Sequence, residues 1–458
     1  MDLSLLTRLW QLAQLPDAAL PYASLDGSDP VLPSSFRVGA AAQSTIAAAA
    51  LAACELGHMR GAERQQVHVQ MAHAALECSS WYSLDGVSPD PWDKFSGLYA
   101  CADGWVRVHA NFAHHRDGAL RLLGLDPAGA KRTDAEQALR QWRAIDFETA
   151  AAEAGLVAAA LRGFAQWDAS AQGQAIAAQP LFTLERIADA APRALPVLAA
   201  DARPLSGIRV LDLTRILAGP VGTRAMAAYG ADVLLVNGPH LPNIEAIADT
   251  SRGKLSAHAD LRTDAGQEAL WRVLADAHVF VQAYRPGALQ ARGFGPLEIA
   301  ARCPGIVLVS LSAYGAQGPW SGRRGFDSLV QTAMGFNHAE GVAKGDGKPR
   351  PMPMQILDHA SGYLIALCAA AALLRQQREG GSWQVGISLA QTGHWLRSLG
   401  CVENGFAVTP PERTPYLESF RSGFGELRAF RHSAQLARTP ATWLLPSMQA
   451  GSHAMRWP

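Results

Sequence analysis

Residues 206–236, SGIRVLDLTRILAGPVGTRAMAAYGADVLLV, decide the fold. Two short apolar runs, IRVLDL (208–213) and ADVLLV (231–236), bracket a helix-like stretch, and two more, HVFVQA (278–283) and GIVLVSLSAYG (305–315), continue the alternation. Short runs this apolar read as strands covered on both faces, and strands alternating with helices build βαβ units on a parallel sheet. The turn after the first run, LDLTRILAGPVG, has no G-x-G-x-x-G, so a nicotinamide or flavin dinucleotide lacks its usual pyrophosphate turn. G-x-S-x-G and G-x-x-x-x-G-K-[ST] are absent too, against α/β-hydrolase and P-loop readings.

Working outward, the chain divides into four parts. Residues 1–95 form a helix-rich segment, opened by an amphipathic helix in MDLSLLTRLWQLAQLPDAALPY and followed by TIAAAALAACELG and the alternation QVHVQM. Residues 96–200 read as a small α/β domain: GLYACADGWVRVHANF is a hairpin turned at Asp103-Gly104, and the segment closes in the Pro/Ala-rich linker ADAAPRALP. Residues 205–400 are the Rossmann-like large domain, and 401–458 a Pro-, Arg- and Ser-rich tail wrapping it irregularly. The expected fold class is therefore α/β: a Rossmann-like parallel-sheet large domain, a smaller α/β domain and a helix-rich N-terminal segment.

Composition narrows the function. Of 458 residues, 49% are apolar and 17% charged, a composition that folds, and the length calls for two or more domains. Forty basic residues balance forty acidic ones, which gives no footprint for nucleic acid or an anionic membrane. The six cysteines never come as C-x-x-C, and His109, His114 and His115 lack an H-E-x-x-H pattern, so no metal site is expected. With no basic leader, and a longest apolar run of only Tyr363–Leu374, the expectation is a cytoplasmic protein that does not span a membrane.

An internal repeat is also present. Residues 40–74 lie on 358–392 at a constant offset of 318, each an apolar helix, a polar turn and a Gln-Val step into strand-like alternation. Much of the identity is alanine, which leaves chance as a rival explanation. Asp358, heading the second copy, faces Ala40 in the first; alanine offers no nucleophile, acid or base, so one catalytic centre per chain is expected. Asp358 opens a long apolar helix ahead of Ala360, Ser361 and Gly362. Its residue type there suits an N-cap. The same place suits an ionised carboxylate nucleophile beside free amides, with small neighbours admitting a bulky thioester.

Between 205 and 392 the chain resembles the class III CoA-transferases, the CaiB/BaiF-like and formyl-CoA transferase family. The blocks that carry the resemblance, in order, are LSGIRVLDLTRILAGP, YGADVLLV, SRGK…DL, YRPGALQARGFG, VLVSLSAYGAQGPW, GFDSLVQTAMG and ILDHASGYLIALCAAAALLRQQREGG. The family's catalytic aspartate lies in the last block, onto which Asp358 falls. The resemblance implies transfer of coenzyme A between carboxylic acids through an acyl-aspartyl anhydride and an aspartyl-CoA thioester. Acyl-CoA and an acid would be the substrates, no tightly bound cofactor is implied, and a homodimer is expected. GLYACADGWVRVHAN resembles the family's small domain, displaced ahead of the large one.

For coenzyme A, the resemblance points to Tyr284 near adenine, followed by Arg285, and to Arg252, Lys254 and Arg215 as cations for the phosphates; solvated surface cations are the plainer alternative. Ala283, Ala291 and Asn237-Gly238-Pro239 stand where the family usually has Asn, Arg and Glu-Arg-Pro. Phe326 replaces the histidine that the racemase branch places before Asp327, which favours transfer over α-proton exchange. A racemase, an intramolecular CoA isomerase and a non-catalytic acyl-CoA-binding homologue remain the rivals.

Overall fold

The structure, a computed structural model, describes residues 3–458. Its centre is a seven-stranded sheet of β1 (Phe182–Ala188), β2 (Arg209–Leu213), β3 (Asp232–Asn237), β4 (Lys254–His258), β5 (Val279–Gln282), β6 (Val307–Ser312) and β7 (Ser382–Ser388). The spatial order is β4-β3-β2-β5-β6-β7-β1; all neighbours are parallel except β1, which runs antiparallel to β7 on the edge. Without β1, this is the doubly wound order, in which the chain reverses its winding direction between β2 and β5. All four apolar runs read from the sequence are strands of this sheet.

Helix α1 (Val38–Met59) lies in the N-terminal segment, α2 (Ala218–Ala228) follows β2, α3 (Asp327–Met334) follows β6, and α4 (Ile356–Glu379) leads into β7. By length and composition α1 and α4 could each cross a membrane, but both are enclosed by protein and pack on each other.

The small domain has a three-stranded sheet of 97–100, 105–108 and 158–160 over a core of Tyr99, Val106, Leu139 and Phe147. Its hairpin turns where expected, with Cys101 N–H donating to Gly104 O at 2.8 Å. The domain ends earlier than expected: Phe182–Ala188, which reads weakly as a strand because Glu185 and Arg186 interrupt it, is β1 of the large sheet. The tail is also more ordered than its composition suggests. Strands 417–422 and 425–430 form a hairpin that pairs with Tyr82–Leu84, and 434–436 pairs with 67–70.

The repeat survives in three dimensions. α1 is followed by strand 67–70 and helix 71–77, and α4 by β7 and helix 389–398; helix starts and strand ends keep the offset of 318. Each long helix is capped by a carboxylate from outside it. Asp29 accepts the amides of Gly39 and Ala40, both at 3.0 Å, and Asp327 accepts those of Leu357 and Asp358, the latter at 2.9 Å. These amides correspond at the same offset. A shared element series with a shared cap is more than chance alanine matching yields.

Candidate active site

Asp358 is not an N-cap. It lies in the first turn of α4, and the capping is done by Asp327 from the start of α3, itself held by Gln331 Nε2 at 2.5 Å. Among the described residues the Asp358 carboxylate accepts no hydrogen bond. It faces a cavity of about 380 Å³. Two glycines set the height of this wall: a Cβ on Gly222 of α2 would stand 2.5 Å from the Gly362 carbonyl oxygen, and one on Gly362 would stand 2.7 Å from that of Ala218. Only hydrogens at both positions let α2 and α4 cross so closely.

The cavity opens beyond the carboxyl ends of β2, β5 and β6, lined there by Arg215 and Ile216, by Tyr284 and Arg285, and by Ser312 and Ala313. This is the crevice at which a doubly wound sheet binds ligands, where the winding reverses. Ile216 holds φ +78°, a left-handed conformation a β-branched residue adopts only under constraint, costing about 1–3 kcal/mol. The opposite wall comes from the small domain through Phe112, His114 and His115, and from the loop Arg323–Phe326 ahead of α3.

The electrostatics are lopsided. Burial raises the pKa of Asp358 well above the ordinary carboxylate range, and the nearby charge of Asp327 raises it further. Burial raises Asp327 as well, against the amides of α4, so the two carboxyls resist being ionised together. Around them, Arg215, Arg285 and Arg324 have no carboxylate within ion-pair distance among the described residues. Arg215 Nη1 donates to Pro242 O at 2.5 Å, and Arg324 Nη1 donates to Gly155 O at 2.7 Å and lies 3.3 Å from His115 Nε2. Burial, with neighbouring cations, pushes His115 down to about 4, so it is neutral at physiological pH. Three unpaired guanidiniums at one mouth suit a polyanion.

Of the cations assigned from sequence, Arg215 and Arg285 line this cavity, with Tyr284 between it and a second, neighbouring cavity of about 420 Å³. Arg252 and Lys254 do not, and their assignment to coenzyme A phosphates is corrected. Lys254 is fully buried on Asp212 (3.1 Å), Thr223 (2.7 Å) and Pro220 O (2.9 Å), tying the start of α2 to the sheet. Arg252 is fully buried too, bonded to Asp249 and Phe430 O and stacked over Trp443 at 3.8 Å. All three Lys254 donors are taken, and neither side chain lines the cavity. The histidines divide: His109 stacks on Phe326 at 4.0 Å, while His114 and His115 face the cavity. Arg324 and the capping role of Asp327 escaped the sequence reading; the charged pair before the Gly325-Phe326-Asp327 block was the one local signal.

A Rossmann-like domain with a free carboxylate at the reversal crevice, facing unpaired arginines, defines an α/β enzyme scaffold built for an anionic substrate. Comparison with known proteins adds a family likeness: residues 205–420 match the model of CoA-transferase family III. An "Acyl-CoA transferase" of the fungus Gibberella moniliformis is 29% identical over 418 residues, covering 81% of this chain and 73% of that protein. A "Probable fatty acyl-CoA transferase" of Mycobacterium tuberculosis is 35% identical over 193 residues (39% of this chain, 48% of the relative), and the mouse succinyl-CoA:glutarate CoA-transferase is 32% identical over 191 (39% and 43%). The chain thus spans most of the fungal relative but under half of the other two. A crystal structure of the mycobacterial protein aligns at 31% identity over 43% of this chain and 59% of that one, with a TM-score of 0.38. The fold assignment rests on the strand order itself.

Proposed function

We propose that the chain transfers coenzyme A between carboxylic acids, with Asp358 as covalent nucleophile. The observation that carries this is the division of labour between two aspartates: Asp327 does the structural capping, and the Asp358 carboxylate, which lines the cavity, accepts no hydrogen bond among the described residues. The ionised carboxylate attacks the thioester carbonyl, the thiolate leaves, and an acyl-aspartyl anhydride remains. The thiolate then attacks the aspartyl carbonyl, releasing the donor acid and forming an aspartyl-CoA thioester. An acceptor carboxylate displaces the thiolate to give a second anhydride, and attack of the thiolate on the new acyl group yields product and restores Asp358. Each step exchanges a thiolate for a carboxylate, so no external oxidant or net proton is needed. Arg215, Arg285 and Arg324 are the cations we assign to the phosphates of coenzyme A.

Donor acyl-CoA plus hydroxylamine should convert Asp358 to a hydroxamate visible by peptide mass. An active enzyme with unmodified Asp358 would refute the assignment. In deuterated solvent without acceptor acid, the α-carbon of the donor should stay protonated; deuterium there would favour the racemase reading, in which a base must stand where Phe326 stands.

A further inference from the structure

Both halves of the chain contribute to the lining of the cavity. Asp358, Arg215, Arg285 and Arg324 come from the half that carries the second repeat, whereas Phe112, His114 and His115 come from the small domain that follows the first. The seam between them is closely fitted. Arg324 reaches across it to Gly155 O and His115, Phe326 stacks on His109, and the Phe112 and Phe326 rings are 6.1 Å apart.

The connection between the halves is equally fixed. The small domain leads through two short helices, 164–168 and 171–177, into β1, which pairs along β7, the strand immediately after the helix that bears Asp358. Residues 189–206 then run back toward β2, held by side chains of both repeats. Arg60, just past the end of α1, donates to Pro196 O (2.9 Å), Pro204 O (3.0 Å) and Ser206 O (2.6 Å). Gln376, in α4, donates to Ala191 O at 3.0 Å and accepts the amide of Arg193 at 3.1 Å. A connection that hands one half to a second copy, as in a domain swap, must be free to extend away; this one is bonded from both sides.

The geometry points to a single cavity assembled in cis: the first half of one chain supplies the wall facing its own Asp358, and the first repeat, with Ala40 in the nucleophile's place, flanks the active helix instead of building a second centre. Calling the cavity catalytic rests on the function proposed above, but the test reads connectivity and is independent of turnover. With Cys101 and Cys401 replaced by serine, His115→Cys and Arg324→Cys are introduced together and treated with a short bis-maleimide. The expected product is a 115–324 cross-linked peptide recovered from protein that runs at the single-chain mass of 48.7 kDa. A product at twice that mass means the wall is supplied in trans, and no cross-link in folded protein means the seam does not exist; either overturns the inference. Phe112→Cys with Phe326→Cys is the second pair, used if the first fails to fold. Absence of CoA transfer with every donor would sink the proposed function while leaving the gel result unchanged, so the two failures are distinguishable.

Discussion

Asp358 and Asp327 divide between them what one aspartate usually does at a helix start. Replacing Asp358 by Asn removes the proposed nucleophile from a residue whose side chain makes no hydrogen bond among the described residues and whose charge is opposed by burial, so the variant should fold with a melting temperature no lower than wild type and lose turnover. Asp327→Asn acts differently. It leaves the cap one acceptor oxygen in place of two, and it removes a charge that raises the pKa of Asp358. In the proposed mechanism ionised Asp358 is the reactive form, so the acidic limb of kcat/KM against pH should move to lower pH. Only part of the elevation should vanish, because burial is the larger cause. An unmoved limb would make Asp327 a purely structural cap. Asp358 was legible from its block of sequence, but its freedom was not, since the carboxylate that relieves it of capping lies 31 positions upstream. Arg252 and Lys254 show the converse: a cation in a motif looks the same on paper whether it faces a ligand or a buried Asp249 or Asp212.

Among the elements, the crossing of α2 and α4 is the least forgiving. Gly222→Ala and Gly362→Ala each push a methyl against a backbone carbonyl that cannot rotate away, so each should cost about 1–3 kcal/mol in chemical denaturation. They should also lower kcat/KM, because spreading the helices shifts Asp358 relative to the crevice, and misplacement by about 1 Å can cost 10²-fold. Full activity in either variant would mean that the crossing does not position the nucleophile. The parallel strands were readable because burial on both faces leaves an unbroken apolar run. β1 was not, because an edge strand tolerates Glu185 and Arg186, and tail strands 425–430 and 434–436 pair with residues more than 300 positions away.

Across the whole molecule, Glu77 joins parts distant in sequence. Fully buried at the end of helix 71–77, it accepts from Tyr363 of α4 at 2.7 Å and from the Ser433 amide of the tail at 2.8 Å, and pairs with Arg224 of α2 at 3.3 Å. Burial pushes its pKa up, but His432, Arg224, His73 and the Tyr363 hydroxyl outweigh that and hold it at about 2, with Arg224 the partner that stays charged throughout. A carboxyl held below its ordinary 4.5 stabilises the fold above that pH and ceases to as pH falls toward about 2. Glu77→Gln should therefore cost about 3–5 kcal/mol near neutrality, and the gap from wild type in urea midpoint should narrow between pH 4.5 and 2. A gap independent of pH would deny the ionic role. The offset between the two copies was visible in the sequence; how the halves clasp was not, because the residues that clasp are single polar side chains without a pattern. The paired caps have a last consequence. Asp29 serves a helix that carries Ala40 where the later copy carries Asp358, so the molecule holds its own natural control: whatever the two copies share is what the architecture demands, and whatever only the later copy has is what the proposed chemistry would demand.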